Sequence, residues 1–254
     1  MDGRYFLKKM YPEICKLGPF TIYSYGLMLV LAFMVAAALS SSRARKENFN
    51  PDIIFNLLFI SFVSGVIGAR VFYVIEHIGD YIRSPLEVIM FQHGGLSWFG
   101  GLILGSVSGI IFLKNKKLEI YKALDLIAPF LALAQAIGRA GCLLNACCFG
   151  KESTFGIYFT LHGRILIPVQ AYSSVLLIFI FMILRFLQDR PHKAGYIFFM
   201  YLLLYSLKRF FIEFLRADNE IVLFGLTLFQ VISIAIFIFS IYKLLVIAKI
   251  KRIQ

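Results

Sequence analysis

The sequence predicts an all-α membrane protein that crosses the bilayer several times. Hydrophobic residues make up 60% of its 254 residues, and the mean hydropathy is +0.81. Apolar runs of about 20 residues recur along the chain, which is the length an α-helix needs to cross about 30 Å of hydrocarbon. No soluble domain, internal repeat or low-complexity tract separates these runs. We therefore expect a single transmembrane domain over residues 1–254.

Seven apolar segments are candidate transmembrane helices. They cover residues 20–41, 53–75, 88–113, 122–144, 169–187, 195–215 and 221–247. The first follows a polar, basic stretch and has no small-residue cleavage site behind it, so we expect no removable signal peptide. An odd number of spans places the two termini on opposite sides of the membrane.

Basic residues predict the orientation of these helices. Fourteen of the 26 Lys and Arg residues lie in alternate connections and at the C-terminal end, namely Arg43, Arg45, Lys46, Lys114, Lys116, Lys117, Lys122, Arg185, Arg190, Lys193, Lys243, Lys249, Lys251 and Arg252. The connections on the other side contain four, with four more in the N-terminal arm. By the positive-inside rule the C-terminus is cytoplasmic and the N-terminus is outside. The net charge of +12 then reflects topology and contact with anionic lipid, and we expect no nucleic-acid partner.

Four basic residues lie inside the predicted spans: Arg70, Arg139, Lys208 and Arg209. A charge at mid-bilayer costs about 2.5–3.5 kcal/mol on insertion scales. We therefore expect each of them to be paired or to face a wet cavity.

Two spans carry a stripe of polar residues that approaches the outer surface. On the sixth span the spacing i, i+4, i+8, i+11 aligns Tyr205, Arg209, Glu213 and Arg216. On the fourth span the spacing i, i+4, i+7 aligns Gln135, Arg139 and Cys142. Two guanidinium groups on one leaflet would bind a phospholipid phosphate, because the planar fork grips phosphate oxygens bidentately. An ion pair that only locks two helices together explains Arg209 and Glu213 about as well.

Two glycine pairs, Gly94-Gly95 and Gly100-Gly101, lie in the segment 93–102. Glycine allows close approach of backbones or a broken helix beside a cavity. We therefore expect broken or re-entrant segments around a lipid-binding cavity. Tight packing of glycine faces between helices explains the spacing equally well.

The four cysteines are Cys15, Cys142, Cys147 and Cys148. The pattern Cys-x4-Cys-Cys has no second half with paired Cys or His, so the sequence predicts no metal site. A disulfide, a reactive thiol beside Arg139, and inert small apolar side chains all remain open for this cluster.

Six motifs in order resemble the prolipoprotein diacylglyceryl transferase family. They are Leu17-Gly18-Pro19-Phe20 with Tyr25-Gly26, Gly68-Ala69-Arg70 with Tyr73, the segment 93–102, Gly138-Arg139-x-Gly141 with Asn145 and Gly150, Pro168-x-Gln170-x-Tyr172, and Arg209 with Glu213 and Arg216. The resemblance implies a bacterial inner-membrane enzyme with seven spans and a site toward the outer face. That family moves diacylglycerol from phosphatidylglycerol to the lipobox cysteine of a preprolipoprotein, and the resemblance implies no cofactor.

The resemblance also implies roles for individual residues. Functional positions of the family fall on Tyr25, Arg139, Asn145, Gly150, Arg209 and Glu213. Arg139 and Arg209 would clamp the phosphate, and Glu213 would orient Arg209. Tyr25 and Asn145 would hydrogen-bond glyceryl or phosphate oxygens. Further substrate contacts are expected from Arg70, Gly94, Gly95, Ser97, Gly100, Gly101, Gln135, Cys147, Gly150, Gln170, Tyr172 and Tyr205.

The chain departs from the family pattern where the acceptor thiol would be handled. Phe99 stands where the family has a histidine proposed as base, Cys142 where it has Asn, and Cys147 where it has Glu. The connection 145–168 is short in place of a larger head insertion. His93 becomes the candidate base, and Cys142 or Cys147 could instead carry the diacylglyceryl group as a nucleophile. A divergent homologue with another acceptor, or a noncatalytic phospholipid-binding protein, are the alternative functions.

Overall fold

The computed structural model describes residues 12–17, 20–83, 85–90 and 94–249. His93, the candidate base, lies outside the described residues. Within them the chain forms eight α-helices: α1 (Ser24–Lys46), α2 (Pro51–Glu76), α3 (Ile78–Arg83), α4 (Trp98–Asn115), α5 (Ile120–Leu144), α6 (Val169–Gln188), α7 (Tyr196–Glu213) and α8 (Leu228–Lys249). A 3-10 turn covers Pro85–Ile89.

Three short antiparallel hairpins lie between the helices. They pair β1 (Glu13–Leu17) with β2 (Phe20–Tyr23), β3 (Glu152–Phe159) with β4 (Arg164–Leu166), and β5 (Ile221–Leu223) with β6 (Leu226–Thr227). The second hairpin occupies the connection 145–168.

The all-α membrane fold class is confirmed, because six of the described helices are long and apolar enough to cross a bilayer: α1, α2, α4, α5, α6 and α8. The count of seven spans is not established. The remaining predicted span, 195–215, forms α7, an 18-residue helix that contains Lys208, Arg209 and Glu213. With three charges in only 18 residues, α7 has no bilayer-length stretch as apolar as those of these six helices.

The described chain divides into two compact units, of which one runs from Ala37 to Ala123. Here α2 and α4 pack through glycine. A Cβ atom added at Gly68 would lie 2.5 Å from the Gly100 carbonyl oxygen, and one added at Gly100 would lie 2.2 Å from the Gly68 carbonyl oxygen. The structure thus favours helix packing as the reason for the second glycine pair.

The other unit comprises the described residues up to Ala36 and from Leu124 onward. Ala128, Ala132 and Ala136 recur every fourth residue on α5 and are almost fully buried with residues of α6 and α7. Buried Asp125 accepts hydrogen bonds from the backbone N–H groups of Gly195 (2.6 Å) and Phe198 (2.8 Å) at the start of α7. This cap anchors α7 and thereby positions the charged residues at its far end.

Candidate active site

The C-terminal end of α7 holds a buried ion-pair network. Arg209 Nη2 lies 3.0 Å from Glu213 Oε2, and Arg216 Nε lies 4.0 Å from the same oxygen. The other oxygen, Glu213 Oε1, accepts hydrogen bonds from Asn219 Nδ2 (2.5 Å) and Thr227 Oγ1 (2.9 Å). Glu213 therefore joins α7 to the segment before α8 and fixes the direction of the Arg209 side chain, as the i, i+4 spacing predicted.

Further contacts hold the two arginines of this network. The Arg209 guanidinium lies over the Phe229 ring, 4.5 Å from its centroid. Arg216 donates two hydrogen bonds to Asp218, at 2.8 and 2.5 Å. Sequence reasoning missed Asp218, Asn219 and Thr227, because ordinary polar residues in a turn carry no distinguishing pattern.

Arg139 lies near the end of α5 and is partly buried. Its charge interacts with Tyr25 and Cys148, as well as with the cationic groups of Lys208 and Arg209. Unlike Arg209, it makes no hydrogen bond or ion pair with any of the described residues. An arginine in apolar surroundings whose donors make no hydrogen bond or ion pair within the described chain is suited to receive an external anion.

A close approach of α1 to α5 at Gly141 brings Tyr25 to the same place. A Cβ atom at Gly141 would lie 2.8 Å from Met28 Cβ and 3.7 Å from Tyr25 Cα. Tyr25 is partly buried and interacts electrostatically with the thiols of the cysteine cluster. The glycine of the predicted motif therefore brings Tyr25, on another helix, close to Arg139.

Helix α5 ends in a Schellman motif that leads into the cysteine cluster. The N–H of Cys147 donates to the Cys142 carbonyl (3.1 Å), and the N–H of Ala146 donates to the Leu143 carbonyl (3.1 Å). Ala146 occupies the left-handed position of this motif with φ 52°, where glycine is usual and where the resembled family has Gly. Cys148 is also left-handed, with φ 60°.

These turns bring three thiols together. The Sγ atoms of Cys142, Cys147 and Cys148 all lie within 4.8 Å of one another, and all three are free thiols. Hydrogen bonds from Cys142 and Cys147, followed by the charges of Arg216 and Arg139, lower the pKa of the Cys148 thiol well below its usual range. The cluster thus favours a thiolate at Cys148.

Neighbouring side chains hold the backbone of this loop. Gln170 Nε2 donates to the Cys147 carbonyl (2.6 Å), and His162 Nε2 contacts the Ala146 carbonyl (2.9 Å). Gln170 is buried, and its Oε1 has no hydrogen-bond partner within the described part of the chain. Asn145 interacts with the Cys147 thiol. Gln170 and Asn145 were both predicted from the motifs, and both lie at the cluster.

Close backbone packing requires glycine at position 150. It pairs with Arg216 in an isolated bridge, and a Cβ atom there would lie 2.6 Å from the Leu215 carbonyl oxygen. Its place in the motif is thus explained by a close approach of two chain segments.

Three other predicted residues lie on helices of this unit. Gln135 and Tyr205 are partly buried, and Tyr172 is exposed. The Lys208 ammonium lies over the Tyr205 ring, 4.5 Å from its centroid. Lys208 Nζ also donates a hydrogen bond to Ser173 Oγ (3.1 Å). Lys208, which was noted only as a charge within a span, is thereby held by uncharged partners.

A model of the prolipoprotein diacylglyceryl transferase family matches residues 12–246 of the chain. The chain belongs to this family. It is 33% identical to a phosphatidylglycerol–prolipoprotein diacylglyceryl transferase of Clostridium tetani over 247 residues, 91% of this chain and 98% of the relative. The phosphatidylglycerol–prolipoprotein diacylglyceryl transferase 2 of Clostridium perfringens is 33% identical over 85% of this chain and 88% of its own length. The transferase of Enterococcus faecalis is 31% identical over 89% of this chain and 86% of its own length.

Within this diacylglyceryl transferase chain, the unit from Ala37 to Ala123 contains the remaining predicted residues. Arg70 is 3% exposed and donates hydrogen bonds to backbone carbonyls of the segment 87–95. The acceptors are Glu87, Val88 (3.0 Å), Met90 (3.3 Å), Gly94 and Gly95 (2.9 Å). Arg70 thus holds the described residues 87–90 and 94–95 through their carbonyls, which gives it a structural role that its sequence position did not indicate.

The glycine and serine residues beside Arg70 also make structural contacts. Gly94 and Gly95 have φ values of 80° and 78°. A Cβ atom at Gly95 would lie 2.5 Å from the Tyr73 ring. Ser97 Oγ donates to Glu76 Oε1 (3.4 Å), and its N–H donates to the Ala69 carbonyl (2.9 Å). Substrate contact by these residues stays a prediction.

Proposed function

We propose that the protein transfers a diacylglyceryl group from phosphatidylglycerol to the thiol of a lipobox cysteine in a preprolipoprotein and releases glycerol phosphate. Family membership over most of the chain and the names of its relatives support this reaction. The reaction takes place at the outer face of the bacterial cytoplasmic membrane. The N-terminus is outside and the C-terminus is in the cytoplasm, which the distribution of basic residues supports.

The observation that carries the proposal is the excess of positive charge around Arg139. The charge of Arg139 interacts with those of Lys208 and Arg209, Lys208 and Arg209 both interact with Arg216, and the carboxylates of Glu213 and Asp218 act on Arg209 and Arg216. Four basic side chains are thus accompanied by two carboxylates and the Cys148 thiol. A phosphodiester anion supplies the missing negative charge, and the same groups stabilise the phosphate that leaves.

Each residue of the phosphate site has a distinct role in this proposal. Arg139 binds the phosphate directly, since no described residue occupies its donors. Arg209 binds it from α7, in the direction set by Glu213. Tyr25 and Asn145 hydrogen-bond glyceryl or phosphate oxygens, and Gln170 Oε1 supplies a buried acceptor beside them.

A second candidate function is transfer of a phospholipid-derived group to another acceptor. Cys142, Cys147 and Phe99 favour it, because they replace the family's Asn, Glu and His where the acceptor thiol would be handled. A covalent intermediate on Cys142 or Cys147 is disfavoured, since a thioether is a poor leaving group.

Mass spectrometry tests the proposal. The purified full chain is incubated with phosphatidylglycerol and a lipobox peptide, and the masses of the peptide and of the intact protein are measured. We expect a diacylglyceryl mass gain on the peptide with release of glycerol phosphate, and no gain on a control peptide with serine at the lipobox cysteine. A gain on the protein alone would indicate a covalent carrier. Bound lipid without transfer would indicate another acceptor or a noncatalytic role.

A further inference from the structure

The three-thiol cluster has the dimensions of a metal site. Zinc binds thiolate sulfur at about 2.3 Å, so sulfurs of a tetrahedral site lie about 3.8 Å apart. The Sγ atoms of Cys142, Cys147 and Cys148 already lie within 4.8 Å of one another. These separations are close to those that one bound ion requires.

The backbone that presents these thiols is held in an unusual conformation. Ala146 and Cys148 both have positive φ values, which non-glycine residues seldom adopt and which persist only when surrounding contacts impose them. Those contacts are present, because Gln170 and His162 bind the carbonyls of Cys147 and Ala146. The loop is therefore arranged to turn its sulfurs toward one another.

Positive charge lies beside the thiol cluster. Arg139 and Arg216 both act on Cys148. Three thiolates around a divalent cation carry one net negative charge, which these guanidinium groups offset. Soft thiolate ligands select zinc over hard cations such as Mg²⁺ and Ca²⁺.

We propose that Cys142, Cys147 and Cys148 bind a zinc ion whose fourth coordination position takes the acceptor thiol. This inference rests on the proposed transfer to a lipobox cysteine. Three protein ligands with one open position are the arrangement of catalytic zinc sites. The metal removes the need for the family's histidine, because a thiol that coordinates zinc is deprotonated. The loss of the histidine at Phe99 and the replacements by Cys142 and Cys147 are then explained by a single change, from a histidine base to a metal ion.

The chemical step balances without any oxidant or reductant. When the acceptor sulfur binds zinc, its S–H bond breaks and the proton goes to water. The thiolate electron pair forms the S–C bond to the terminal glyceryl carbon. The C–O bond to the phosphate breaks, and its electron pair stays on glycerol phosphate, which faces Arg139 and Arg209. Zinc remains divalent, and the thioether product leaves because it is a weaker ligand than a thiolate.

Metal analysis tests the site independently of turnover. We expect the full chain, purified in detergent without chelator, to contain about one zinc per molecule. Single Cys→Ser changes at 142, 147 or 148 should lower this to about a tenth or less. Cys15→Ser is the matched control, since Cys15 is an exposed free thiol outside the cluster, and it should retain the metal. Absence of zinc after incubation with ZnCl₂, or a disulfide within the cluster of the freshly purified chain, would overturn the proposal.

Cobalt substitution tests the open position. The Co²⁺ form should gain thiolate-to-cobalt absorption when a lipobox peptide is added and should not respond to the serine peptide. An equal spectrum with both peptides would overturn thiol coordination.

The proposed function and the metal site can fail separately. Peptide lipidation at an undiminished rate by the chelated, zinc-free chain would overturn the zinc step and leave the transferase standing. A zinc-loaded chain that coordinates the peptide thiol but transfers nothing from phosphatidylglycerol would overturn the transferase and leave the site. We expect chelation to abolish transfer and added Zn²⁺ to restore it.

Discussion

Arg139 and Glu213 have opposite surroundings in the structure. Glu213 has partners at both oxygens, because Arg209 forms an ion pair with Oε2 and Asn219 and Thr227 donate hydrogen bonds to Oε1. Arg139 makes no hydrogen bond or ion pair with the described residues. We therefore expect Arg139 to act on the substrate and Glu213 to act through Arg209.

Replacement of Arg139 by alanine should lower kcat about 10²–10³-fold, because the leaving phosphate loses a preorganised guanidinium. Arg139→Lys should recover part of the rate, since it restores the charge without the bidentate fork. The measurement is transfer to the lipobox peptide. Arg190→Ala is the matched control, as Arg190 is an exposed arginine that lies over Phe186, 4.1 Å from the ring centroid. Equal rates for wild type and Arg139→Ala would contradict the phosphate role.

Glu213→Gln should destabilise the protein by about 3–5 kcal/mol, because it leaves the buried Arg209 without its charge partner. Thr227→Val removes one hydrogen bond to the same carboxylate and should cost about 1 kcal/mol. Thermal unfolding in detergent compares the two variants. If Glu213→Gln unfolded no more readily than Thr227→Val, the ion pair would not be the main contribution of Glu213.

At the scale of elements, the close contact between α2 and α4 depends on Gly68 and Gly100. Gly100→Ala should destabilise the unit from Ala37 to Ala123 by about 1–3 kcal/mol, because its Cβ atom would overlap the Gly68 carbonyl. Gly79→Ala on α3 serves as control, since a Cβ atom there meets nothing within 4 Å. Limited proteolysis of the α2–α4 segment provides the measurement, and equal protection of both variants would contradict the packing role.

The turn that ends α5 carries backbone strain at Ala146. Ala146→Gly should stabilise the chain by about 1 kcal/mol, because relief of the left-handed conformation outweighs the added freedom of glycine in the unfolded chain. The thermal midpoint should rise. A fall would mean that the buried Ala146 methyl group contributes more packing than the backbone strain costs.

For the whole molecule, the distribution of basic residues predicts opposite sides for the two termini. In intact spheroplasts, an external protease should remove an epitope tag from the N-terminus, while a C-terminal tag should survive until the cells are lysed. The reverse pattern would invert the proposed orientation and would place the site toward the cytoplasm.

Most of the helices and part of the site could be predicted from the sequence. Apolar runs of bilayer length predicted seven spans, of which six form helices long and apolar enough to cross a bilayer, while the seventh forms α7 with its charges Lys208, Arg209 and Glu213. Motif positions placed Arg139, Asn145 and Gln170, and the structure brings all three to the end of α5 or to the loop after it. Pairing of segments distant in the chain was not predictable, as Thr227 and Arg70 illustrate.

The sequence by itself determined the membrane fold class, the family motifs and the Arg209–Glu213 pair, because hydrophobic length and helical spacing are local properties of the chain. Only the tertiary structure decided that Arg70 binds backbone carbonyls and that Cys142, Cys147 and Cys148 meet. The pattern Cys-x4-Cys-Cys predicted no metal site, since its spacing says nothing about left-handed residues between the cysteines. The φ angles of Ala146 and Cys148, held by contacts from distant segments, bring the three thiols together.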